Sequence, residues 1–494
     1  MKINGLLQIL KKPQEHSLRL QSIRAGLWGF LGKGSDQILR FICNLILTRL
    51  LFPEAFGLMA IANTALMMVN LFSDTGVKTA IIQNPKGDNP EFLNTAWIIS
   101  ICRGFLLCLV MIILSWPLSR FYNEPGLKEI LLIMSLIPII SGFENPSLTL
   151  LVRKFRVDRV AVFETIIQVI SFITLAVLVY ILRTVEALVI GSVLASLYRT
   201  AGSFLIAKPF PKFSWNSEAG TNIFHFGKFI FLNTMITWAA MNVDIIIIGK
   251  FLGMDTLAFY NIGKNFAYLV IAFFIQIVAQ TYLPAVSSIS DDLARVKKIY
   301  RRTVAFFLLA GVPLGMCLSV FSSDIIKLFY DPRYETAYIS LCWLSLCNIF
   351  RIIGSINGTT FIALGKPFYE TLSNLIGLLI TIALITIGIK LGNLTGAAIG
   401  MSISLSITPV IESIFLVKII KFPFSLIVKP WMHATVGSLC IIAFSMFIKR
   451  HFFNGQLYNL PSIVTIIAAS GAISIGIYAI LERKKLRIAD FMGV

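Results

Sequence analysis

The chain has 494 residues, of which 57% are hydrophobic and 14% charged, and its mean hydropathy is +0.83. Soluble domains carry about 25% charged residues, and no soluble core could hide this much apolar surface, so the composition excludes a soluble fold and describes a membrane protein with many spans. The net charge of +19 belongs with lipid headgroups rather than nucleic acid, because no basic stretch is interleaved with aromatics in a polar domain.

Residues 1–26 carry Lys11, Lys12, Arg19 and Arg24 without the apolar run and cleavage site of a signal peptide, and read as a cytoplasmic segment. Apolar runs then follow with short breaks. Their limits predict an all-α integral membrane protein with about fourteen transmembrane helices: 27–50, 55–80, 93–116, 129–151, 161–182, 185–207, 222–249, 256–283, 302–322, 336–363, 368–389, 395–419, 431–448 and 461–481. Asn84-Pro85, Pro117, Pro209, Pro332, Lys366-Pro367, Pro423 and Pro461 punctuate them. Glu144-Asn145-Pro146, after Pro138, either breaks the fourth helix or only kinks it. Most Lys and Arg fall on segments that lie in the cytoplasm if both termini do. Arg153-Lys154-Phe155-Arg156 and the run Arg295, Lys297, Lys298, Arg301 and Arg302 read as topology determinants beside anionic lipid before they read as phosphate sites.

A shift of 201 residues lays the seventh and eighth spans under the first and second, aligning Thr48–Glu54 with Gly249–Asp255. Phe121-Tyr122-Asn123 echoes Phe329-Tyr330-Asp331 at nearly the same shift. Six spans separate the copies, which implies parallel repeats. The expected organisation is two pseudo-symmetric six-helix lobes, 27–207 and 208–419, with the last two spans and a cytoplasmic tail in 420–494.

Within the first span Lys33, Asp36 and Arg40 fall on one face, continued by Gln37, Asn44 and Thr48. Asn63, Asn70 and Asp74 share a face of the second; Asn233, Thr237 and Asp244 share one of the seventh. Asn261, Lys264, Asn265, Tyr268 and Gln276 cluster on the eighth. Buried Asn, Thr and Gln can serve simply as interhelical glue. Lys33, Asp36, Arg40 and Lys264 point instead to a water-filled cavity, because pairing alone leaves excess positive charge to be solvated. The repeat sets Thr234, Thr237 and Met241 opposite the first-span triad, so the facing wall is expected to carry Asp244 and Lys264. Arg103, Arg199 and Arg351 either join the cavity or pair with Glu144 and neighbouring helices. Glu164, Glu370 and Glu412 are expected to form salt bridges near cytoplasmic helix ends.

Several chemistries are unsupported. Gly32-Lys33-Gly34-Ser35 lacks the first glycine and the Ser or Thr after Lys that a phosphate loop needs. Asp291-Asp292 has no second acidic pair and reads as a helix start. The seven cysteines lie in apolar runs, the four histidines are scattered, and neither set suggests a metal, a disulfide or a catalytic triad. No metal, cofactor or catalytic residue is therefore expected, and the chain does not read as an enzyme.

Leu47-Thr-Arg-Leu-Leu-Phe-Pro-Glu-Ala-Phe-Gly57, Phe72-Ser-Asp-Thr-Gly76 and Ile81-Ile-Gln83 resemble the polysaccharide transporters of the multidrug/oligosaccharidyl-lipid/polysaccharide exporter superfamily. Asn242-Val-Asp-Ile-Ile-Ile-Ile-Gly-Lys-Phe-Leu-Gly253, Tyr260 and Leu283-Pro284-Ala285 look like the second-lobe counterparts. The similarity spans about residues 20 to 420 and is nearest to the branch of colanic-acid-type flippases and teichuronic-acid exporters. It implies a multi-pass protein of the bacterial inner membrane that flips an undecaprenyl-pyrophosphate-linked oligosaccharide by alternating access, driven by a proton or sodium gradient or by neither. Membrane lipids, a polysaccharide polymerase and assembly proteins would be its other partners. On that reading Lys33, Arg40 and Lys264 meet the anionic headgroup, Asn44, Asn63, Asn70, Asn261, Asn265 and Tyr268 suit sugar hydroxyls, and Asp36, Asp74 and Asp244 balance charge or carry a coupling ion. A multidrug exporter of the same superfamily and a non-transporting scaffold are the alternatives.

Overall fold

The structure is a computed structural model and describes residues 18–72, 76–220 and 231–421. The two C-terminal spans expected at 431–448 and 461–481 lie outside these residues, as do Asp74 and the side chains of Lys33 and Asn233. Every described element is helical. Among the described residues, seven helices are long and apolar enough to cross a membrane, or nine if two bent pairs each count as one span. The charges Lys33, Asp36 and Arg40 keep the first helix out of that set.

The chain divides into two compact units, Met1–Trp238 and Ala239–Val494. The first contains α1 (Leu18–Leu50), α2 (Pro53–Phe72), α3 (Val77–Gln83), α4 (Pro90–Tyr122), α5 (Pro125–Met134), α6 (Leu136–Gly142), α7 (Ser147–Arg153), α8 (Val157–Leu182) and α9 (Val185–Ile206). Asn89 caps α4, whose first turn also holds Pro90, a residue with no N–H to leave unpaired. Asn123 closes α4 in the left-handed conformation that asparagine tolerates. Helix α1 packs on α8, α8 on α9, and α4 on α5 and α6.

The fourth span breaks rather than kinks: α6 stops at Gly142 and α7 restarts at Ser147. Non-helical backbone at membrane depth survives only if its polar groups find partners. Here Asn145 N donates to Ser203 Oγ at 2.9 Å, Asn145 Nδ2 to Ala207 O at 3.0 Å, and Ser147 Oγ to Pro209 O at 2.7 Å. Arg153 at the end of α7 donates to the carbonyls of Ile81, Asn84 and Pro85 at 2.7, 2.6 and 3.2 Å. Its guanidinium fastens a loop, which removes it from any phosphate patch.

The unit boundary falls within α10 (Phe231–Leu252), which carries the chain into the second unit. There follow α11 (Met254–Ile277), a π-helical turn Val278–Tyr282, α12 (Leu283–Ser287), α13 (Leu293–Val320), α14 (Ser322–Phe329), α15 (Ala337–Ala363) and α16 (Pro367–Ile420). Asp292 caps α13 by accepting from Ala294 N and Arg295 N, each at 3.1 Å, so Asp291-Asp292 is a helix start. Helices α2 and α11 begin at residues 53 and 254, the shift of the internal repeat. Helix α16 is a hairpin whose turn lies at Gly392 and at Asn393, with φ 49°. A Cβ on Gly388 would lie 2.1 Å from Gly396 O, so only glycine lets the two arms approach this closely. Helix α15 is the hub of the unit, packing on α11, α13 and α16 around a core that includes Tyr300, Phe307, Ile352, Ile356, Phe361 and Leu416.

Candidate functional site

In the second unit, three helices place charged and aromatic groups together. Helix α11 presents Tyr260, Lys264 and Tyr268 four residues apart on one face, α10 contributes Asp244, and α15 contributes Arg351. Lys264 Nζ donates to Asp244 Oδ1 and Oδ2 at 2.9 and 2.7 Å and to Met241 O at 3.0 Å. Tyr260 OH donates to Asp244 Oδ2 at 2.7 Å. Asp244 is fully buried and the Lys264 side chain 16% exposed, so the two charges neutralise each other away from water. Such a pair holds only because its remaining polar atoms are satisfied. The Arg351 guanidinium lies 4.9 Å above the Tyr268 ring, a cation–π geometry. Among the described residues Arg351 makes neither a hydrogen bond nor an ion pair. The cluster thus holds one net positive charge whose N–H donors are unengaged.

Two cavities among the described residues of the first unit are lined by polar groups. One, of about 450 Å³, is lined by Asn70, Ser100, Arg103, Glu144, Asn145 and Arg199 among others. Arg103 Nη2 donates to Asn70 O at 2.6 Å, and Arg199 pairs with Glu144 at 3.4 Å and with Glu164. The other, of about 390 Å³, is lined by Arg40 and Asn44 from α1 and by Gln168 and Ser171 from α8. Gln168 Nε2 donates to Asp36 O at 3.1 Å, while Gln168 Oε1 and Ser171 Oγ lack partners among the described residues. Asp36 and Arg40 form an i,i+4 ion pair at 3.1 Å, with side chains 38% and 71% exposed.

The sequence profile of the polysaccharide biosynthesis protein family matches residues 46–338, more than half of the chain. The chain belongs to this family. Three relatives agree with that membership. An uncharacterized membrane protein of the Klebsiella pneumoniae cps region is 22% identical over 405 residues, covering 81% of this chain and 83% of its own. The lipopolysaccharide biosynthesis protein WzxC of Escherichia coli is 20% identical, with 81% and 82% covered. The teichuronic acid biosynthesis protein TuaB of Bacillus subtilis is 23% identical, with 59% and 61% covered. Among solved structures, an inward closed conformation of the lipid II flippase MurJ superposes with a TM-score of 0.71 at 16% identity, covering 94% of this chain and all of that one. An inward-facing multidrug resistance MATE transporter gives 0.66 at 13% identity, with 78% and 94% covered. These likenesses show the fold.

Within this family member, Lys264, Asp244 and Tyr268 come together with Tyr260 and Arg351, and Asp36, Arg40 and Asn44 share one face of α1. Asn70 lines the larger first-unit cavity, with Nδ2 returned to Leu66 O at 2.9 Å. Asn63 and Asn265 are exposed and Asn261 is half-buried; neither Asn261 nor Asn265 hydrogen-bonds to the Asp244 cluster among the described residues. Glu164 forms its expected ion pair, with Arg199. Glu370 and Glu412 correct the expectation made for them: neither forms an ion pair among the described residues, because what α15 sets against their carboxyls is Gly358 and Gly354 rather than a cation. Arg351 was open to either role from sequence. Its signal was an arginine in an apolar run, 337–363, with no carboxylate on its own helix.

Proposed function

We propose that the protein is a flippase that moves an undecaprenyl-pyrophosphate-linked oligosaccharide repeat unit to the outer leaflet of the bacterial inner membrane for surface polysaccharide assembly, by alternating access and with both termini in the cytoplasm. The observation that carries this reading is Arg351. A pyrophosphate is a concentrated anion rich in acceptor oxygens, and a guanidinium with unengaged donors in an apolar helix is its natural partner. Lys264 adds to that site only by letting go of Asp244, so Asp244 balances charge while the site is empty. Arg40 and Asn44, Asn70 and Tyr268 offer further charge and hydrogen-bonding groups for headgroup and sugar. Membership of a polysaccharide biosynthesis family supports the sugar, and the fold shared with a lipid II flippase supports the lipid carrier. Coupling to a proton or sodium gradient, and handover to a polymerase, extend the same proposal.

The purified chain in liposomes should expose an inner-leaflet undecaprenyl-pyrophosphate sugar to a membrane-impermeant probe added outside. Arg351→Gln should slow that exposure by at least ~10-fold. Efflux of cationic drugs without movement of the sugar lipid would mark a multidrug exporter instead. Movement of neither, in a strain whose polymer assembly still requires the protein, would mark a scaffold.

A further inference from the structure

The second unit buries another carboxylate that the Arg351 site does not use. Glu412, on the returning arm of α16, is 4% exposed, and its Oε2 has no hydrogen-bond partner among the described residues. It faces α15 at Gly354, where an added Cβ would lie 3.4 Å from Glu412 Oε2 and 3.1 Å from Pro409. One turn further along α15, a Cβ on Gly358 would come within 2.8 Å of Glu370 Oε1 on the first arm of α16. Positions four apart on a helix lie ~6 Å from each other on one face. Two carboxylates from the two arms of one hairpin therefore rest along a single bare stripe of α15.

Among the described residues, none supplies them with the opposite charge. From α15, Asn357 is the polar neighbour: its side chain lies within hydrogen-bonding range of the Glu412 carboxyl, but it is shared, accepting from Tyr300 OH at 2.7 Å and donating to Pro409 O at 3.2 Å and Ser413 Oγ at 3.1 Å, and it brings no charge. Arg351, on the same helix, lies over Tyr268. From α13, Tyr300 is the titratable group in electrostatic range, with Tyr282 of the π turn behind it; Tyr282 OH is bonded to Thr360 Oγ1 at 2.8 Å. Lys297 of α13 donates to Lys421 O at 3.0 Å. From the first arm of α16 the facing group is Glu370 itself. The rest of the surroundings is the apolar core of Ile353, Ile356, Phe361 and Leu416. Two ionised carboxylates in this setting would lose hydration and repel each other, with a shared neutral amide and no cation to offset the cost.

We propose that Glu412 and Glu370 form a proton-binding site, holding one exchangeable proton against the Gly354–Gly358 face of α15. Glu412 Oε2 is the buried seat. Glu370, half-exposed near the start of α16, takes the proton from water and passes it inward, and release reverses the path. Loss of the proton leaves like charges between α15 and α16 and loosens that packing, so the protonation state selects between two packings of the hub helix. Use of this proton in transport rests on the flippase reading; the proton site does not.

The test is infrared difference spectroscopy of the full chain in lipid, in H2O and D2O, titrated from about pH 5 to about pH 10. Wild type should show a protonated-carboxyl band that shifts in D2O and disappears as pH rises. Glu412→Gln should remove it, and Glu370→Gln should keep it but move the pH at which it disappears. Identical wild-type and Glu412→Gln spectra, or a band that never titrates, would overturn the site. Should Glu412→Gln fail to fold, an unmoved titration in Glu370→Gln does the same. In liposomes carrying an internal pH dye, flipping by wild type should move protons and Glu412→Gln should reduce that flux by ~10-fold or more. Flipping without proton movement overturns the coupling alone. Absence of flipping by wild type overturns the transport reading, and the spectrum still decides the proton site.

Discussion

Asp36–Arg40 in α1 and Asp244–Lys264 between α10 and α11 are both carboxylate–cation pairs within otherwise apolar segments, and they differ in almost everything else. The first is an i,i+4 pair on one helix with an arginine 71% exposed. The second joins two helices, is closed off from water at Asp244, and completes its hydrogen bonding through Tyr260 and Met241. An exposed pair of this kind contributes about 0–1 kcal/mol, whereas breaking a buried pair strands a charge. Position relative to water, not residue type, therefore decides which pair organises the fold and which is free to serve a ligand.

The largest expected effect follows from stranding that charge. Asp244→Asn leaves Lys264 facing only Met241 O and a neutral amide, and should cost about 3–5 kcal/mol of stability; Asp36→Asn should cost about 0–1 kcal/mol. Thermal melting of the two purified variants compares them directly, and equal losses would erase the contrast. Replacing both members, Asp244→Leu with Lys264→Met, should restore much of the stability, because the charges are then removed together.

Arg351→Gln comes next, and it should act on ligand rather than fold. Its guanidinium has no acceptor among the described residues, so little native hydrogen bonding is lost. Affinity for a pyrophosphate-linked sugar lipid should fall about 10–100-fold, the worth of one or two charge-assisted hydrogen bonds, with the melting temperature nearly unchanged. A large melting shift without an affinity change would make Arg351 structural. Arg40→Ala should weaken transport less, about 3–10-fold, since its side chain is mostly hydrated already. Full export at matched membrane levels would show that the α1 face takes no part in transport.

Helix positions were legible from sequence wherever breakers bound an apolar run. Helices α8, α9 and α15 begin and end within a few residues of expectation, and the 201-residue repeat anticipated the matched starts of α2 and α11. The hairpin turn at Gly392-Asn393 falls between the expected eleventh and twelfth spans. Depth of burial was not legible. The face of a helix can be read from spacing, but whether a carboxylate on that face meets a cation depends on which third helix packs there. For Glu370 and Glu412 that helix is α15, which brings glycines rather than a lysine; for Asp244 it is α11, which brings Lys264. Arg351 was hard to place for the same reason, since its partner ring comes from α11.

The smallest effect lies outside the membrane. Lys86 Nζ donates to Glu218 Oε1 at 2.8 Å, with side chains 63% and 67% exposed, so this pair resembles Asp36–Arg40 rather than Asp244–Lys264. It also has company. The segment after α9 that carries Glu218 is tied to the start of α4 by Lys212 N to Asn94 Oδ1 at 2.8 Å, Asn216 N to Thr95 Oγ1 at 2.9 Å, and Asn216 Nδ2 to Glu91 Oε2 at 2.9 Å. The hydrogen bond and charge of Glu218 raise the Lys86 ammonium above the usual lysine range. A lysine raised in the folded state stabilises it below the unfolded-state value and loses that contribution as pH climbs through the folded one. Lys86→Met should therefore melt marginally below wild type at neutral pH, and the two curves should converge only in the alkaline range where lysine deprotonates. A variant that melted at or above wild type at neutral pH would mean that the Lys86–Glu218 pair adds nothing to folding, and the Glu218 segment would owe its attachment to the three bonds at α4 alone.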